Sequence, residues 1–310
     1  MSTQADRPLL IVLTGPTGIG KSALALTLAQ KIGCSIVSAD SRQVYKQIPI
    51  GTAAPSPADL AAVPHYFVGC RDVWEAYSAA DYETDVLKLL PLLFREKTKQ
   101  LLCGGSMMYV DAVCSGIDFI PSIPQELRSA LWRRFETEGV EPLAEELFRV
   151  DPEYLKRIDP RNHKRIIHAL EVFHASGKPY SSFHTHKSVK RPFDTLKICL
   201  TMEREQLYRR INQRVDLMMT QGLEEEARAV WPYRSLNALN TLGYKEMFAY
   251  FDGQITLDEA VDLIRRNSRH YARKQLAWWR RDPEMNFVKI REDASAMKII
   301  EELLEAQSPT

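Results

Sequence analysis

The chain has 310 residues, enough for a substantial core and close to the size at which one core begins to divide in two. Its apolar (45%) and charged (26%) fractions are those of an ordinary soluble globular protein, and no apolar run reaches membrane-spanning length. The net charge is +1, so no global field marks a polyanionic partner and any such signal has to be local.

Met1 to Pro8 is polar and lacks the apolar core of a signal peptide. The first strand is expected at Leu9 to Thr14, a short, continuous, branched apolar run of the kind buried on both faces. Next comes Gly15-Pro16-Thr17-Gly18-Ile19-Gly20-Lys21-Ser22, which fits the phosphate-loop pattern at every fixed position. Ala23 to Ala29 is made mostly of strong helix formers. Strand, loop and helix in that order are what a phosphate loop needs. Its glycines let amides curl around an anion, the helix terminus adds positive field, Lys21 adds a charge, and the Ser22 hydroxyl can ligate magnesium.

A second strand, Ser35 to Asp40, ends on a carboxylate, and ligands of open α/β sheets sit beyond the carboxyl ends of strands. Ser41 to Lys46 is polar and basic, and Ile50 to Pro57 reads as a loop. His65 to Cys70 and Gln100 to Cys103 read as strands, and Ser78 caps a helix over 79–94. Gly104-Gly105-Ser106 leads into a short helix from Met107 to Val113. This alternation predicts an α/β fold: a mostly parallel sheet with helices on both faces.

From Pro121 to about Pro192 the pattern is helical, as in Leu127, Leu131, Phe135 and in Ile166, Leu170, Phe173. The expected organisation is a discontinuous core, 1–119 and 193–310, carrying a helical insertion at 120–192. Leu196 to Met202 resumes the sheet. Helices follow at 204–219, 223–230, 243–251 and 257–281, and Met285 to Ile290 fits an edge strand.

The five cysteines are odd in number and widely spaced, so neither a disulfide frame nor a zinc site is expected, and a reducing cytoplasm is the expected compartment. Asp40 fits a general base, and equally a magnesium ligand or a cap. Arg210 and Arg214 share one helix face and fit either solvated charges or a fork aimed at phosphate. Arg266, Arg269 and Arg273 fall along one side of a helix interleaved with Tyr271, Trp278 and Trp279. That helix fits a nucleic-acid backbone, or a charged face with its aromatics in the core. Arg161, Lys164 and Arg165 form a second basic set, and His184 and His186 read as solvated. A nucleotide or small-molecule kinase, or an RNA-binding phosphate-loop protein without catalysis, is compatible with the loop alone.

The combination of Gly15 to Ser22, Ser38-Ala39-Asp40-Ser41, Val44-Tyr45-Lys46, Ile50-Gly51-Thr52-Ala53, Tyr77-Ser78-Ala79-Ala80-Asp81-Tyr82, Gly104-Gly105-Ser106-Met107-Met108-Tyr109, Arg165 through Val172, and Leu242-Gly243-Tyr244-Lys245 resembles the transfer RNA dimethylallyltransferases over nearly the whole chain. The resemblance implies transfer of a dimethylallyl group from dimethylallyl diphosphate, with Mg2+, to the exocyclic amine of the adenosine 3′ of certain anticodons. The phosphate loop would hold the diphosphate, Asp40 would take the proton, and Ser106 and Arg214 would bind the leaving group. Asp40, Ser41, Arg42 and Gln43, then Arg128, then Lys164, Arg165, Ile166, Ile167 and His168, and finally Asn240, Thr241, Leu242, Gly243, Tyr244 and Lys245 would touch the RNA. The insertion would grip the anticodon stem-loop, and the enzyme would act as a monomer. The chain departs from the family's usual Ala-Ser at Gly18-Ile19, from threonine at Ser22 and Ser106, and from arginine at Lys245. Both serines keep the hydroxyl.

Overall fold

The computed structural model describes residues 7–118, 120–121, 123–184, 189–290 and 295–306. Among them, β1 (Leu9–Thr14), β2 (Ile36–Ser38), β3 (His65–Tyr66), β4 (Lys99–Cys103), β5 (Asp194–Thr201) and β6 (Asn286–Lys289) form one sheet in the order β3-β2-β4-β1-β5-β6. All its pairings are parallel. β1 is buried along its whole length because β4 and β5 flank it and both of its faces are covered. Leu10 and Val12 enter one core, while Leu9, Ile11 and Leu13 enter the other. This is the period-2 alternation of a strand covered on two sides.

The helices of the sheet unit are α1 (Lys21–Ile32), α2 (Pro49–Thr52), α3 (Pro57–Ala62), α4 (Ala79–Glu96) and α5 (Met107–Ser115). A separate set, α6 (Gln125–Glu138), α7 (Glu141–Val150), α8 (Pro152–Leu155) and α9 (His163–Ser176), belongs to the insertion. The sheet unit then resumes with α10 (Arg204–Thr220), α11 (Leu223–Val230), α12 (Tyr244–Phe251), α13 (Leu257–Trp279) and α14 (Ser295–Glu305). α1, α10 and α14 cover one face of the sheet, and α4, α5, α11 and α12 cover the other. The chain divides into two compact units, Met1–Ser115 with Lys190–Thr310, and Gly116–Val189. The second has its own core, built on Leu131, Leu143, Leu147, Ile166, Ile167 and Leu170.

Several elements differ from their sequence reading. β3 stops at Tyr66 because Phe67 takes a left-handed backbone (φ 63°), which no strand continues through. The chain instead folds back, and the Gly69 and Cys70 amides donate to Gln43 and Val44. The segment from Ile50 to Pro57 contains α2 and leads into α3, whose start Ser56 and Asp59 close as a capping box. α14 has no counterpart in the sequence reading.

Candidate active site

The phosphate loop leaves the end of β1 and enters α1 through Gly20, whose φ of 101° places the helix cap in a region costly for any residue with a Cβ. Thr17, Gly18, Gly20, Lys21 and Ser22 line a cavity of about 160 Å³. Gly15, Pro16 and Ile19 stand behind it: the first two present their carbonyls to Lys21 at 2.9 and 3.0 Å, and Ile19 is fully buried in the core. Those three support the loop, and the other five face the cavity. Burial, together with the positive charge of Arg214, lowers the Lys21 ammonium to about 8, against an opposing pull from Asp40.

A second cavity of about 320 Å³ adjoins the first. Thr17, Asp40, Arg214 and Tyr271 line both. Asp40 sits two residues beyond β2. Its Oδ1 accepts the amides of Arg42 (2.9 Å) and Gln43 (3.3 Å), and no hydrogen bond falls on Oδ2 among the described residues. The carboxylate is therefore aimed by the turn that follows it while one oxygen keeps its lone pairs. Arg214 donates to the Thr52 carbonyl at 3.2 Å; burial lowers its pKa and Asp40 opposes the shift. Burial also pushes the Tyr271 hydroxyl up to about 12, with the Asp40 charge adding to the shift. Of the arginine pair on α10, Arg214 faces the cavities and Arg210 is exposed, with its guanidinium against Gly20.

Ser106 lines the larger cavity; Gly104 and Gly105 line the smaller. The Ser106 hydroxyl accepts the Ser41 amide at 2.8 Å and donates to the Ser41 hydroxyl at 3.0 Å, so it joins the Gly-Gly-Ser turn to the segment after Asp40. Gln43 fixes the opposite rim by donating to the Thr52 and Ala53 carbonyls. Arg42 spends its guanidinium on the Asn237 and Ala238 carbonyls, which orients the stretch that follows. In that stretch Asn240, Thr241, Leu242, Gly243 and Lys245 line the larger cavity.

Tyr244 does not. Its ring is fully buried and its hydroxyl donates to Glu226, the carboxylate that also accepts the Ile50 and Gly51 amides. The Tyr244 side chain is thus a structural tie. Ile166 and Ile167 likewise turn their side chains into the core of the second unit. There Lys164 and Arg165 remain exposed in the first turn of α9. Arg128 and His168 both reach the buried Glu171 at 3.3 Å. Arg161 pairs with Asp159, and His184 packs against the Tyr154 and Tyr180 rings; His186 lies outside the described residues.

On α13 the aromatics go inward and the charges outward. Trp279 is buried and Trp278 donates to Asp111. Arg265 is held by Asp216 and Asp262, and Arg269 by Asn212. Arg266, Arg273 and Lys274 are exposed. Local desolvation and the charges of Arg273, Arg266, Arg269 and Lys274 hold the exposed His270 imidazole below its ordinary pKa.

The sequence reading missed Gln275 and named Tyr271 only as an aromatic of the basic helix, without placing it in the site. Tyr271 sits at the junction of the cavities. Gln275 is 1% exposed; its Oε1 accepts the Thr17 amide and its Nε2 donates to the Gly105 carbonyl, each at 2.8 Å. The Thr17 amide therefore points at Gln275 and away from any anion in the loop. The signal for Gln275 was present: spacing from Ala272 to Trp279 puts a carboxamide on the apolar face of α13.

A parallel sheet with a phosphate loop at the tip of its central strand, opening past a shared carboxylate and guanidinium into a second chamber, defines a phosphate-loop α/β protein with two adjoining cavities. The chain belongs to the IPP transferase family, whose model matches residues 43–282. It is 56% identical over 273 residues to tRNA dimethylallyltransferase 2 of Porphyromonas gingivalis, covering 88% of this chain and 91% of that one. It is 55% identical over 276 residues to tRNA dimethylallyltransferase 1 of Phocaeicola vulgatus, covering 89% and 92%. Among solved structures, the tRNA isopentenylpyrophosphate transferase of Bacillus halodurans is 33% identical with a TM-score of 0.69, over 97% of this chain and 98% of that one. A eukaryotic dimethylallyltransferase acting on tRNA, 23% identical, shares the fold with a TM-score of 0.81 over 97% of this chain and 80% of that one.

Proposed function

We propose that this protein transfers the dimethylallyl group of dimethylallyl diphosphate to the exocyclic amine of the adenosine 3′ of the anticodon in certain tRNAs, releasing diphosphate. The observation that carries the reading is the pair of adjoining cavities with Asp40 and Arg214 at their junction. The smaller cavity takes the diphosphate against Lys21, Ser22 and the loop amides. The larger takes the adenine, which has to leave its stack to reach the allylic carbon.

At the junction a carbon–nitrogen bond forms as the allylic carbon–oxygen bond breaks. The electron pair leaves with the diphosphate, and the amine's proton passes to the Oδ2 side of Asp40. Arg214 faces the oxygen on which charge grows, so its contribution is larger in the transition state than in the ground state. Tyr271 walls both chambers, which supports a role in excluding water from the allylic carbon. Ser106, bonded to Ser41, holds the turn beside the acceptor and lies one residue from the diphosphate wall. Among the described residues no cluster of three or more His, Cys, Asp or Glu could cage a metal. The Ser22 hydroxyl, at the wall of the smaller cavity, would help hold Mg2+, and the ion would supply charge neutralisation of the diphosphate.

Two surfaces fit tRNA phosphates. In the second unit, Lys164 and Arg165 put positive charge in the first turn of α9, where the helix dipole disfavours it, and an anionic partner relieves that cost. In the sheet unit, Arg266, Arg273 and Lys274 form the outward face of α13. Among the described residues no helix is long and apolar enough to cross a membrane. The test is incubation of purified protein with labelled dimethylallyl diphosphate and total tRNA. Label entering RNA with matched, RNA-dependent release of diphosphate is expected. ATP turnover without RNA, and no label in RNA, would overturn the reading.

A further inference from the structure

We propose that Gln275 is a positioning residue that sets the shape of the diphosphate chamber by clamping the phosphate loop to the Gly104-Gly105-Ser106 turn, an assignment that rests on the smaller cavity being the donor site. Gln275 comes from α13, about 170 residues from the turn and 258 from Thr17 in sequence, yet its one carboxamide bonds both at 2.8 Å. Only a group that is acceptor at one atom and donor at the next can do this. The Thr17 N–H requires an oxygen and the Gly105 carbonyl requires an N–H, so the partners also fix which way the amide is turned. The fit is tight: a Cβ on Gly105 would stand 2.5 Å from the Gln275 nitrogen and 3.6 Å from the Lys21 ammonium. Gln275 therefore borders the charge that is to meet the diphosphate, and it lines that cavity itself.

The chemistry of the residue fits the place. Its neighbours on the buried face of α13, Ala272 and Trp279, are apolar, and an apolar side chain would fill the position without the cost of burying a carboxamide. A glutamate would keep the bond to Thr17, set an oxygen against the Gly105 carbonyl and bring negative charge to a chamber for an anion. Glutamine gives both bonds and stays neutral. Because it bonds loop backbone on two sides, it restrains the amides of Gly18 to Ser22 relative to the turn that carries Ser106. Displacements of a fraction of an ångström there weaken leaving-group stabilisation more than they weaken substrate binding.

The experiment compares wild type, Q275M and Q275E in three measurements: steady-state kinetics with both substrates, affinity for inorganic pyrophosphate, and hydrogen exchange of the Thr17 amide. Q275M removes both bonds at nearly constant volume. It is expected to lower kcat about 10- to 100-fold, change the KM for tRNA less than about twofold, and lose Thr17 amide protection. Q275E is expected to keep Thr17 protection and to lose about tenfold or more in pyrophosphate affinity. An unchanged kcat in Q275M, or wild-type pyrophosphate affinity in Q275E, overturns the proposal; should Q275M not fold, Q275E decides it alone. The underlying reading fails in a different way. If the wild type binds pyrophosphate but neither binds dimethylallyl diphosphate nor releases diphosphate with tRNA, the donor assignment falls, while the exchange and pyrophosphate results still judge the clamp.

Discussion

The two adjoining cavities are built by opposite means. The smaller is centred on one contiguous run, Thr17 to Ser22, whose cation is already engaged by its own loop carbonyls, and is closed by β2, the Gly104-Gly105 turn, Arg214 and α13. The larger is assembled from the turn after β2, the α2 loop, α10, the stretch before α12, and α13. Side chains do its work, and some are held by bonds to distant backbone: Arg42 to residues 237–238 and Arg214 to Thr52. An anion is recognised by a local curl of chain that many proteins can make. A particular base at a particular moment in a reaction is recognised by a chamber that exists only once the whole unit has folded.

If the division is real, substitutions should separate cleanly by chamber. The largest effect is expected for Asp40→Asn, which removes the base at the junction. Turnover should fall roughly 10²–10⁴-fold while pyrophosphate and tRNA affinities stay within about threefold of wild type. A near-normal single-turnover rate would erase the boundary drawn at Asp40. Arg214→Ala comes next, with a loss of about 10²-fold or more in the bound-state rate and a smaller one in donor affinity. Equal losses in both would make Arg214 a ground-state binding residue.

The loop chamber alone should respond to the protonation of Lys21. With its ammonium lowered to about 8, pyrophosphate affinity, corrected for the anion's own titration, should decline as pH rises through that value, since only the protonated amine attracts the anion. Calorimetry across that range checks this, and tRNA affinity should not follow the same curve. Neutralising Lys164 and Arg165 should instead weaken tRNA binding several-fold, flatten its salt dependence by about one unit of slope per lost phosphate contact, and leave the donor untouched. The smallest effect belongs to Tyr244→Phe. Losing its bond to Glu226 should cost about 1–2 kcal/mol of stability, read from denaturant unfolding, with tRNA affinity unchanged. A large loss of tRNA affinity would return the Tyr244 side chain to the contact surface.

The same division explains what could be read from the chain alone. β1, the phosphate loop and α1 were legible because strand period, glycines and helix formers lie side by side within 9–32. In the larger chamber Asp40 was legible from a strand end and Arg214 from a helix face, while most of the other residues came through resemblance to a family, and resemblance marks stretches without saying which side chain faces the cavity. Tyr244, Ile166 and Ile167 were swept in that way. For Ile166 the helical spacing with Leu170 already argued for core, and the packing agrees. Gln275 and Tyr271 escaped because a helix rich in arginine draws the eye to its charged face. β3 was overlong because a positive φ at Phe67, unlike one at glycine, leaves no mark in the sequence.

The place of β1 in the sheet also bears on how the molecule comes into being. Leu9 pairs with Lys99 on one side and with Asp194 on the other. The second pairing closes a loop of well over a hundred residues, and such long closures make folding slow. During synthesis the phosphate-loop strand emerges well before β5, and it lacks that second neighbour until the whole intervening segment has left the ribosome. That segment contains the second unit, which has a core of its own and can condense meanwhile, shortening the gap the chain must still close. The first strand of the sheet is thus among the last to become rigid, and a chain stopped before β5 would carry the complete anion-binding motif on a strand with one exposed edge.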